Sequence, residues 1–430
     1  MSSGNNNLNS SRPQYRLADD VRLVAGVREW AIYKLGTHDI IRVSPDEGLK
    51  IQNCDIDAFS ARKLMNFGVY CTDAEQSAIT TRTAADNESS HIPFRSAWLE
   101  LTDDCNLSCS HCYMNAGQTQ TKSTANTNWD RVLEYLAAHH CYNAIFIGGE
   151  PLCHPKLLDY LEYAKRIAPE MKLCVVTNGT LWNEGLLVRM KELDVFLKFS
   201  LLGSGADRHD EITGVSGSFA AAVKNLDLAI RLGVKLEIST TLVSSSRDTA
   251  ESMKHFVSER FGSVKQSTTR VRPQGRQVQC GNISDACSEE HLATHISNEF
   301  FELATQRHPC LYGKAAFSHS GSVYPCIMSR YEQVDIETVL EQAPEDVFRH
   351  WWTLTKDKVD GCRDCALRYA CFDCRGFSTS MTGCPSNCRL AVELATCGSR
   401  PPIERSQMHG INSKPVLVEN CAAHGKGLAE

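Results

Sequence analysis

Three cysteines in one short segment carry the clearest chemical signal in this sequence. They are Cys105, Cys109 and Cys112, in the run Cys105-Asn-Leu-Ser-Cys109-Ser-His-Cys112. Four protein ligands complete a structural zinc site or a cysteine-bound iron–sulfur cluster, so three thiolates leave one metal position for a ligand that is not protein. The spacing therefore predicts a metal centre with an open position that binds a small molecule.

A glycine-rich motif follows a second apolar run further along the chain. The cysteine segment comes after Ala97-Trp-Leu-Glu-Leu101, and Gly148-Gly149-Glu150-Pro151 comes directly after Ala144-Ile-Phe-Ile147. Both runs are typical of buried strands, and active sites of α/β barrels gather at the carboxyl ends of strands. Two glycines let the backbone approach a ligand closely, and Glu150 can offer a carboxylate to a cationic amine. We therefore expect both motifs at one rim of a sheet.

Together, these two motifs resemble the radical S-adenosylmethionine (SAM) superfamily. The resemblance implies that Cys105, Cys109 and Cys112 hold a [4Fe-4S] cluster, that SAM binds its fourth iron, and that Gly148–Pro151 contact SAM. It also implies that one electron from the cluster cleaves SAM, and that the resulting 5′-deoxyadenosyl radical abstracts hydrogen from an unactivated C–H bond. His111 is expected to pack beside the cluster. The alternatives for the three cysteines are a zinc knuckle or reduced core thiols.

Two further strand ends resemble cofactor contacts of this superfamily. Thr177-Asn178-Gly179 resembles the Thr-Asn-Gly motif found after the third strand, and Ser200 lies where a fourth-strand serine commonly bonds the cofactor. Each signal is weak alone, because Asn-Gly first of all favours a turn.

A third stretch, from His209-Asp210 to Gly217-Ser-Phe219, also resembles the superfamily pattern. It has Thr213 where relatives often have arginine. Arg270 and Arg272 are therefore the candidates for the cation that neutralises the methionine carboxylate.

A second group of cysteines lies near the C-terminus. Its members are Cys310, Cys326, Cys362, Cys365, Cys371, Cys374, Cys384 and Cys388. These thiols are too many for one tetrahedral ion and are enough for two [4Fe-4S] clusters. The spacing resembles the SPASM extension of radical SAM enzymes, which houses two auxiliary clusters. The alternative is structural zinc, which predicts about one metal per four cysteines and no iron.

The SPASM resemblance assigns these cysteines to an outer and an inner cluster. The outer set is Cys362, Cys365, Cys371 and Cys388, and the inner set is Cys310, Cys326 and Cys374. Many relatives have one more cysteine at the position of Ala304, so the inner cluster here would have an iron free to bind a substrate thiolate. Cys384, Cys280 and Cys287 remain open alternatives for its fourth ligand.

Composition limits the classes of function. The chain has 430 residues, a net charge of −6 and 20 cysteines. The acidic balance argues against an extended nucleic-acid surface. Since no apolar run approaches 18 residues and the N-terminus lacks a signal-peptide pattern, we expect a cytoplasmic protein without membrane contact, whose cysteines are thiols.

Strands and helices alternate after the first cysteine segment, which predicts an α/β fold: an open (β/α)6 partial barrel. A helix is expected to open at a capping box in Thr127-Asn-Trp-Asp130. The predicted divisions are a disordered tail (1–13), an N-terminal α+β module (14–90), the barrel (91–300), the SPASM domain (301–400) and a tail (401–430).

The N-terminal module is expected to be winged-helix-like. Val27–Leu35 and Asp39–Val43 predict a β-hairpin. A helix should follow, with Asp55 or Asp57 as N-cap and with Phe59, Leu64 and Phe67 on one side. The module either clasps a leader peptide by pairing its edge strand with it, or caps one end of the barrel.

The function expected from the resemblance is that of a SPASM peptide maturase. It would oxidise a ribosomal precursor peptide to form a thioether, C–C or C–O crosslink, with electrons from a flavodoxin or ferredoxin-type donor. An inner cluster with an open iron favours the thioether. The alternatives are formylglycine formation on a sulfatase, maturation of a small peptide-derived redox cofactor and, from another class, a metal-sensing regulator that binds DNA.

Overall fold

The computed structural model describes residues 15–72, 92–117, 127–243, 250–271, 274–276, 296–386, 388 and 391–392. Its strands are β1 (Tyr15–Leu17), β2 (Val21–Ala25), β3 (Trp30–Lys34), β4 (Asp39–Val43), β5 (Tyr70–Thr72), β6 (Ser96–Glu100), β7 (Asn143–Ile147), β8 (Lys172–Thr177), β9 (Phe196–Ser200), β10 (Leu236–Leu242), β11 (Lys265–Arg270), β12 (Lys314–Ser318), β13 (Ser322–Tyr324) and β14 (Val334–Asp335). Its helices are α1 (Pro45–Gln52), α2 (Ala58–Asn66), α3 (Trp129–Ala138), α4 (Leu157–Ile167), α5 (Glu184–Glu192), α6 (Ala206–Thr213), α7 (Ser218–Leu232), α8 (Ala250–Phe261), α9 (Asn298–Gln306), α10 (Ile336–Leu340) and α11 (Pro344–Trp352).

The central sheet contains six parallel strands, β6 to β11, side by side in chain order. Helices α3 to α8 connect these strands. Strand β12 continues the sheet by pairing in parallel with β6, and β13 and β14 add two antiparallel strands. The prediction of an α/β fold with a central parallel sheet is confirmed. The sheet also runs across the predicted division at residue 300.

The strands of the sheet present two faces. Leu99, Phe146 and Leu197 are fully buried in the main hydrophobic core. Because successive side chains of a strand point to opposite faces, Glu100 and Lys198 point away from this core. The chain runs from the carboxyl ends of β6, β7 and β8 into the first cysteine segment, the glycine motif and the Thr-Asn-Gly turn.

The start of α3 differs in detail from the predicted capping box. Asn128 is the N-cap, because its side chain accepts a hydrogen bond from the backbone N–H of Arg131. Thr127 instead donates its hydroxyl to the backbone oxygen of Ser318, 2.8 Å away. The side chain expected to cap the helix thus ties its start to the end of β12.

The N-terminal module contains the predicted hairpin, since β3 and β4 pair as antiparallel strands and β2 pairs with β3. Helix α2 follows Asp57, which accepts a hydrogen bond from the Ser60 backbone. Phe67 is 45 % exposed, so it does not lie on a buried side as expected. The side chain of Phe59 lies outside the described residues.

Sequence analysis missed helix α1 in this module. The signal was present in Ser44-Pro-Asp-Glu47, where Ser44 and Glu47 form a capping box.

The N-terminal module packs on the C-terminal cysteine-rich segment. A shared core joins β2 and β3 to α9 and to residues 365–370. The Tyr33 hydroxyl donates to the Ala366 backbone oxygen, and the Arg368 guanidinium donates to the Ala25 backbone oxygen. The module therefore lies directly against the candidate outer metal site.

Several predicted segments, among them the two tails, lie outside the described residues. In the part of the chain that the structure describes, no helix has the length and apolar character needed to cross a bilayer.

Candidate active site

The first cysteine segment is a loop held by its own backbone. The N–H groups of Ser108 and Ser110 donate to the carbonyls of Thr213 and Ile212 at the end of α6, both at 2.9 Å. On another side, the N–H of Arg276 donates to the carbonyl of Cys112 at 3.0 Å. Peptide groups between and around the cysteines are thus anchored, and the three thiol groups remain as the functional side chains of the loop.

The thiol groups of this loop lie in a shared buried environment. Burial, together with the neighbouring cysteines of the loop, raises the pKa of Cys105 and of Cys109 to about 12, while Arg276 acts to lower that of Cys109. Cys153 also lies near enough to influence Cys105 electrostatically. Since a metal ion deprotonates a coordinating thiol, a buried set of thiols is suited to a metal centre and poorly suited to free thiolates.

In the residues covered by the structure, no three side chains of His, Cys, Asp or Glu converge on a single metal ion. A [4Fe-4S] cluster makes a different demand, because each cysteine binds a different iron. The three thiols of the first loop, anchored through their backbone, fit this requirement.

The glycine motif approaches the cysteine loop itself. A Cβ atom on Gly148 would lie 2.6 Å from the Thr102 backbone oxygen, and Gly148 has φ of +153°. A side chain on Gly149 would collide with the backbone oxygen of Asp104. Both glycines are therefore required where the end of β7 crosses the start of the cysteine loop.

The Glu150 side chain is fully buried and links the ends of β7 and β8 through hydrogen bonds. Its carboxylate accepts hydrogen bonds from the Thr177 hydroxyl at 2.8 Å, the Asn178 backbone at 2.7 Å and the Leu152 backbone at 3.3 Å. Burial raises the pKa of Glu150 to about 7, although these hydrogen bonds act to lower it. The carboxylate is thus fixed in place, and Pro151, which follows it, is also buried.

The Thr-Asn-Gly turn contacts the cysteine loop directly. The Asn178 amide donates to the Asn106 side chain at 2.8 Å and lies 3.9 Å from the sulfur of Cys105. The Asn106 amide in turn donates to the Thr180 hydroxyl at 2.8 Å. The structure therefore brings the motifs after β6, β7 and β8 together, as sequence analysis expected.

The arginine and serine candidates are less directly placed. Ser200 is half-buried at the end of β9 and faces Ser239 of β10 in register. Arg270 ends β11 opposite Leu242, but its side chain, like all of Arg272, lies outside the described residues.

The stretch from His209 to Phe219 supports the first cysteine loop through its backbone. The Asp210 carboxylate accepts hydrogen bonds from the backbone of Gly217 and Phe219 and from the Ser218 hydroxyl, all between 2.7 and 2.8 Å. It fixes the turn between α6 and α7, which directly follows the two residues of α6 whose carbonyls hold the loop.

Sequence analysis missed a charged group at the carboxyl end of β6. Glu100 is fully buried, forms an ion pair with Arg330 and accepts a hydrogen bond from the Tyr113 hydroxyl at 3.1 Å. The Arg330 guanidinium also lies over the rings of Tyr113 and Tyr324. A glutamate that ends an apolar strand of an α/β barrel was the available signal.

A second missed residue is Arg276. Its Nε donates to the backbone oxygen of Cys109 at 2.7 Å. Together with burial, its charge lowers the pKa of His111, to about 4. His111 is thus a neutral side chain packed beside the loop, which agrees with the role expected for it.

Electrostatic influence between thiols divides the C-terminal cysteines into two groups. Electrostatic influence links Cys310, Cys326 and Cys374 to one another, and likewise links Cys365, Cys371 and Cys388. Cys362 belongs with the second set through Cys371. The Cys384 thiol is influenced electrostatically by Cys388. Ala304 is buried in α9, and Cys280 and Cys287 lie outside the described residues.

A group of buried charged side chains lies between the two sets. Lys356 and Arg375 are each 1 % exposed and both form ion pairs with the Asp373 carboxylate. Two buried cations with one anion leave a positive surplus, which is costly in a protein interior unless it is compensated. Iron–sulfur clusters bound by thiolates would supply that negative charge, so the residues present are compatible with such clusters.

Comparisons with known proteins agree with this site. The model of the Radical SAM superfamily matches residues 99–258. The chain is 26% identical over 335 residues to an AdoMet-dependent heme synthase of Oleidesulfovibrio alaskensis, covering 67% of this chain and 84% of that protein. It is 30% identical over 183 residues to the mycofactocin maturase MftC of Mycobacterium tuberculosis, covering 41% and 44%.

Among solved structures, SuiB of Streptococcus suis bound to its precursor peptide SuiA superposes with a TM-score of 0.53. The match covers 88% of this chain and 100% of that one at 14% identity. Because the two sequences are only 14% identical, this match shows a similarity of fold alone.

Proposed function

Because this chain belongs to the radical SAM superfamily, we propose that it is a SPASM-type maturase that oxidatively crosslinks a ribosomal precursor peptide. The enzyme uses SAM and a [4Fe-4S] cluster, as its superfamily does. One observation carries the peptide assignment: a small sheet with an open edge packs directly on the candidate outer cluster site. The fold shared with SuiB over 88% of the chain supports it.

Of the two edge strands of this sheet, β2 and β4, strand β4 is the candidate peptide site. In the described residues β4 pairs with β3 on one side and with no strand on the other. An edge of this kind binds an extended peptide by adding it as another strand. Asp39 and Arg42 on this strand are exposed, so a peptide can reach its backbone. We assign the leader of the precursor peptide to this edge.

The residues around the first loop would bind and orient the cofactors. Cys105, Cys109 and Cys112 would hold the cluster, which when bound supplies the electron that cleaves SAM to the 5′-deoxyadenosyl radical. The proposed SAM contacts are Gly148, Gly149, Glu150, Pro151, Thr177, Asn178, Ser200, Arg270 and Arg272. The Glu150 and Asn178 hydrogen bonds fix these strand ends, so that one substrate C–H bond is held in a reactive orientation.

The crosslink removes two hydrogens from the peptide. One leaves as a hydrogen atom to the 5′-deoxyadenosyl radical, and the other leaves as a proton together with one electron. An auxiliary cluster held by the C-terminal cysteines would take that electron, and a flavodoxin or ferredoxin-type protein would supply the electron that cleaves SAM. If Cys280 and Cys287 do not bind the inner cluster, an open iron there would bind a substrate cysteine and favour a thioether.

Mass spectrometry of the precursor peptide tests the proposal. The reconstituted enzyme, given SAM and reductant without oxygen, should lower the mass of the peptide encoded beside its gene by two hydrogens. A C109A variant, which lacks one ligand of the first loop, should leave the peptide unchanged. Turnover of SAM with no change in any neighbouring peptide would contradict the peptide assignment.

The edge of β4 can be tested with two proline variants. N–H groups of successive residues on a strand point alternately to its two sides, so those of residues 39 and 42 point to opposite sides. In one of the variants D39P and R42P, proline removes an N–H group that points to β3, and this variant should weaken β3–β4 pairing. In the other, proline removes an N–H group on the open side, and this variant should keep the unfolding temperature while losing affinity for the leader peptide. If the variant that keeps its unfolding temperature also keeps the wild-type affinity for the leader peptide, this edge is excluded as the peptide site.

A second candidate function is chemistry on a tetrapyrrole. The relatives named AdoMet-dependent heme synthase span 67% of this chain, whereas MftC spans 41%. The two functions separate in one anaerobic assay in which the enzyme receives either a neighbouring precursor peptide or an iron porphyrin with intact propionates. Loss of carbon dioxide from the porphyrin would favour the second function.

A further inference from the structure

The two sets of C-terminal cysteines are separated by a network that we call the buried charge group: Lys356, Asp373, Arg375 and His308. All four side chains are at most 3 % exposed. Asp373 is the centre, since Lys356 lies 2.6 Å from one of its oxygens, His308 lies 3.0 Å from the same oxygen, and Arg375 lies 3.1 Å from the other. Because these side chains are buried and each contacts Asp373, the network holds its charges in fixed positions.

The buried charge group touches the backbone of both cysteine sets. Lys356 donates a hydrogen bond to the carbonyl of Cys371 in the outer set. Asp373 directly precedes Cys374 of the inner set, and His308 accepts a hydrogen bond from the backbone N–H of Cys310 at 3.3 Å. The group therefore contacts backbone atoms of both cysteine sets directly.

The charges in this network are unequal. Lys356 and Arg375 are two cations against the single anion of Asp373, which leaves a surplus of one positive charge. Reduction of an iron–sulfur cluster adds one negative charge to it, and net charge and hydrogen bonding near a cluster set its reduction potential. In a buried region a fixed charge acts much more strongly than it does in water.

We propose that Lys356 is a positioning residue for electron transfer, whose fixed positive charge raises the reduction potentials of both auxiliary clusters. With the higher potential, the auxiliary clusters accept the one electron that the substrate radical loses when the crosslink forms. The proton from the same step would leave separately and the electron would pass to an oxidised flavodoxin or ferredoxin-type protein, so the charge group itself gains and loses no electron. This inference rests on the proposed oxidative function.

Reduction potentials of the holoenzyme test this role without any substrate. The clusters are titrated with reductant and followed by electron paramagnetic resonance, and added SAM identifies the signal of the first cluster by perturbing it. K356M brings the network to zero charge and should make the auxiliary clusters harder to reduce. We expect about a tenfold change in the reduction equilibrium, which is about 59 mV for one electron.

A charge series separates this effect from damage to the fold. K356R keeps the charge and should keep the wild-type potentials. D373N should raise them, and the K356M/D373N double variant, with Arg375 as its one remaining charge, should return them close to wild type. R363Q is the matched control, because Arg363 follows Cys362 directly but is 52% exposed at its side chain, so solvent screens its charge.

Potentials that do not follow the net charge across this series would overturn the inference. A purely structural role for Lys356 would lower cluster content and unfolding temperature in K356M while the remaining clusters keep their potentials. These results would leave the peptide assay unaffected. Conversely, a chain that holds both auxiliary clusters and shows the charge series but modifies no peptide would contradict the proposed substrate and not the role of Lys356.

Discussion

Asp210 offers the sharpest test of how the first cysteine loop is held. Its carboxylate accepts three hydrogen bonds from the start of α7. The turn that it fixes directly follows Ile212 and Thr213, whose carbonyls hold the loop. We predict that D210A destabilises the protein and also loosens the cluster, although Asp210 is not a metal ligand in this assignment.

The expected magnitude follows from two contributions. Loss of a side chain that caps a helix N-terminus costs about 1–2 kcal/mol. Loss of a negative charge at that terminus costs about 0.3–1 kcal/mol more. The free energy of unfolding should therefore fall by about 2 kcal/mol in D210A, and by less in D210N, which keeps an acceptor oxygen.

Two measurements on the anaerobic holoenzyme check this prediction. Unfolding in denaturant gives the free energy, and the rate of iron loss to a chelator reports opening of the loop. If the turn and the loop open together, 2 kcal/mol corresponds to about a 30-fold increase in the open fraction. E211A is the matched control, since Glu211 is the next residue but its side chain is 66% exposed and pairs with Arg208 at the surface.

The reasoning fails if D210A and E211A lose iron at the same rate. That result would mean that the α6–α7 turn does not hold the cysteine loop, whatever it contributes to global stability. A large loss of stability in D210A with unchanged iron release would lead to the same conclusion.

Three further predictions concern the same region. C105S should abolish reductive cleavage of SAM and the visible absorption of the first cluster, whereas C153S, at a neighbouring thiol, should keep both. If C153S loses activity and absorption as completely as C105S does, Cys153 is a ligand. R330Q leaves the buried Glu100 carboxylate without its cation and should lower the free energy of unfolding by about 3 kcal/mol, and adding E100Q should recover most of this loss. Burial raises the folded-state pKa of Glu150 to about 7 from an ordinary 4.5, so the contribution of this side chain to stability is present below pH 4.5 and is lost as the pH rises through 7. E150Q should remove this pH dependence. Identical pH profiles of unfolding for E150Q and the wild type would refute the prediction.

Local patterns in the sequence were sufficient for the central sheet and for the motifs at its rim. Alternating apolar runs fixed β6 to β11, and the ends of β6, β7 and β8 do meet. Such prediction succeeds because parallel strands in chain order bring their carboxyl ends to one edge. It failed at α1, where a capping box was overlooked, and at Thr127, whose hydroxyl bonds to the distant backbone of Ser318.

The partners of individual side chains could not be read from local pattern. Sequence analysis named only a cationic amine as a partner for Glu150, and the structure adds hydrogen bonds to its carboxylate from Thr177, Asn178 and Leu152. Glu100 and Arg330 are 230 residues apart in sequence, and nothing near either one indicates the other. Burial determines both pairings, and burial depends on the assembled fold.

The N-terminal module shows what such distant pairing means for function. Its strands share a core with the segment that carries the outer cysteines, and the Val27 backbone donates to the Asp364 carbonyl between Cys362 and Cys365. The cysteine segment has only short helical turns, so a bound cluster would order the surface on which the module rests. If the proposed leader site lies on β4, loss of the outer cluster should weaken leader binding even though the peptide never touches the metal. Leader affinity of a C371S variant, compared with that of a C109S variant that lacks a ligand of the first cluster, would show this coupling directly.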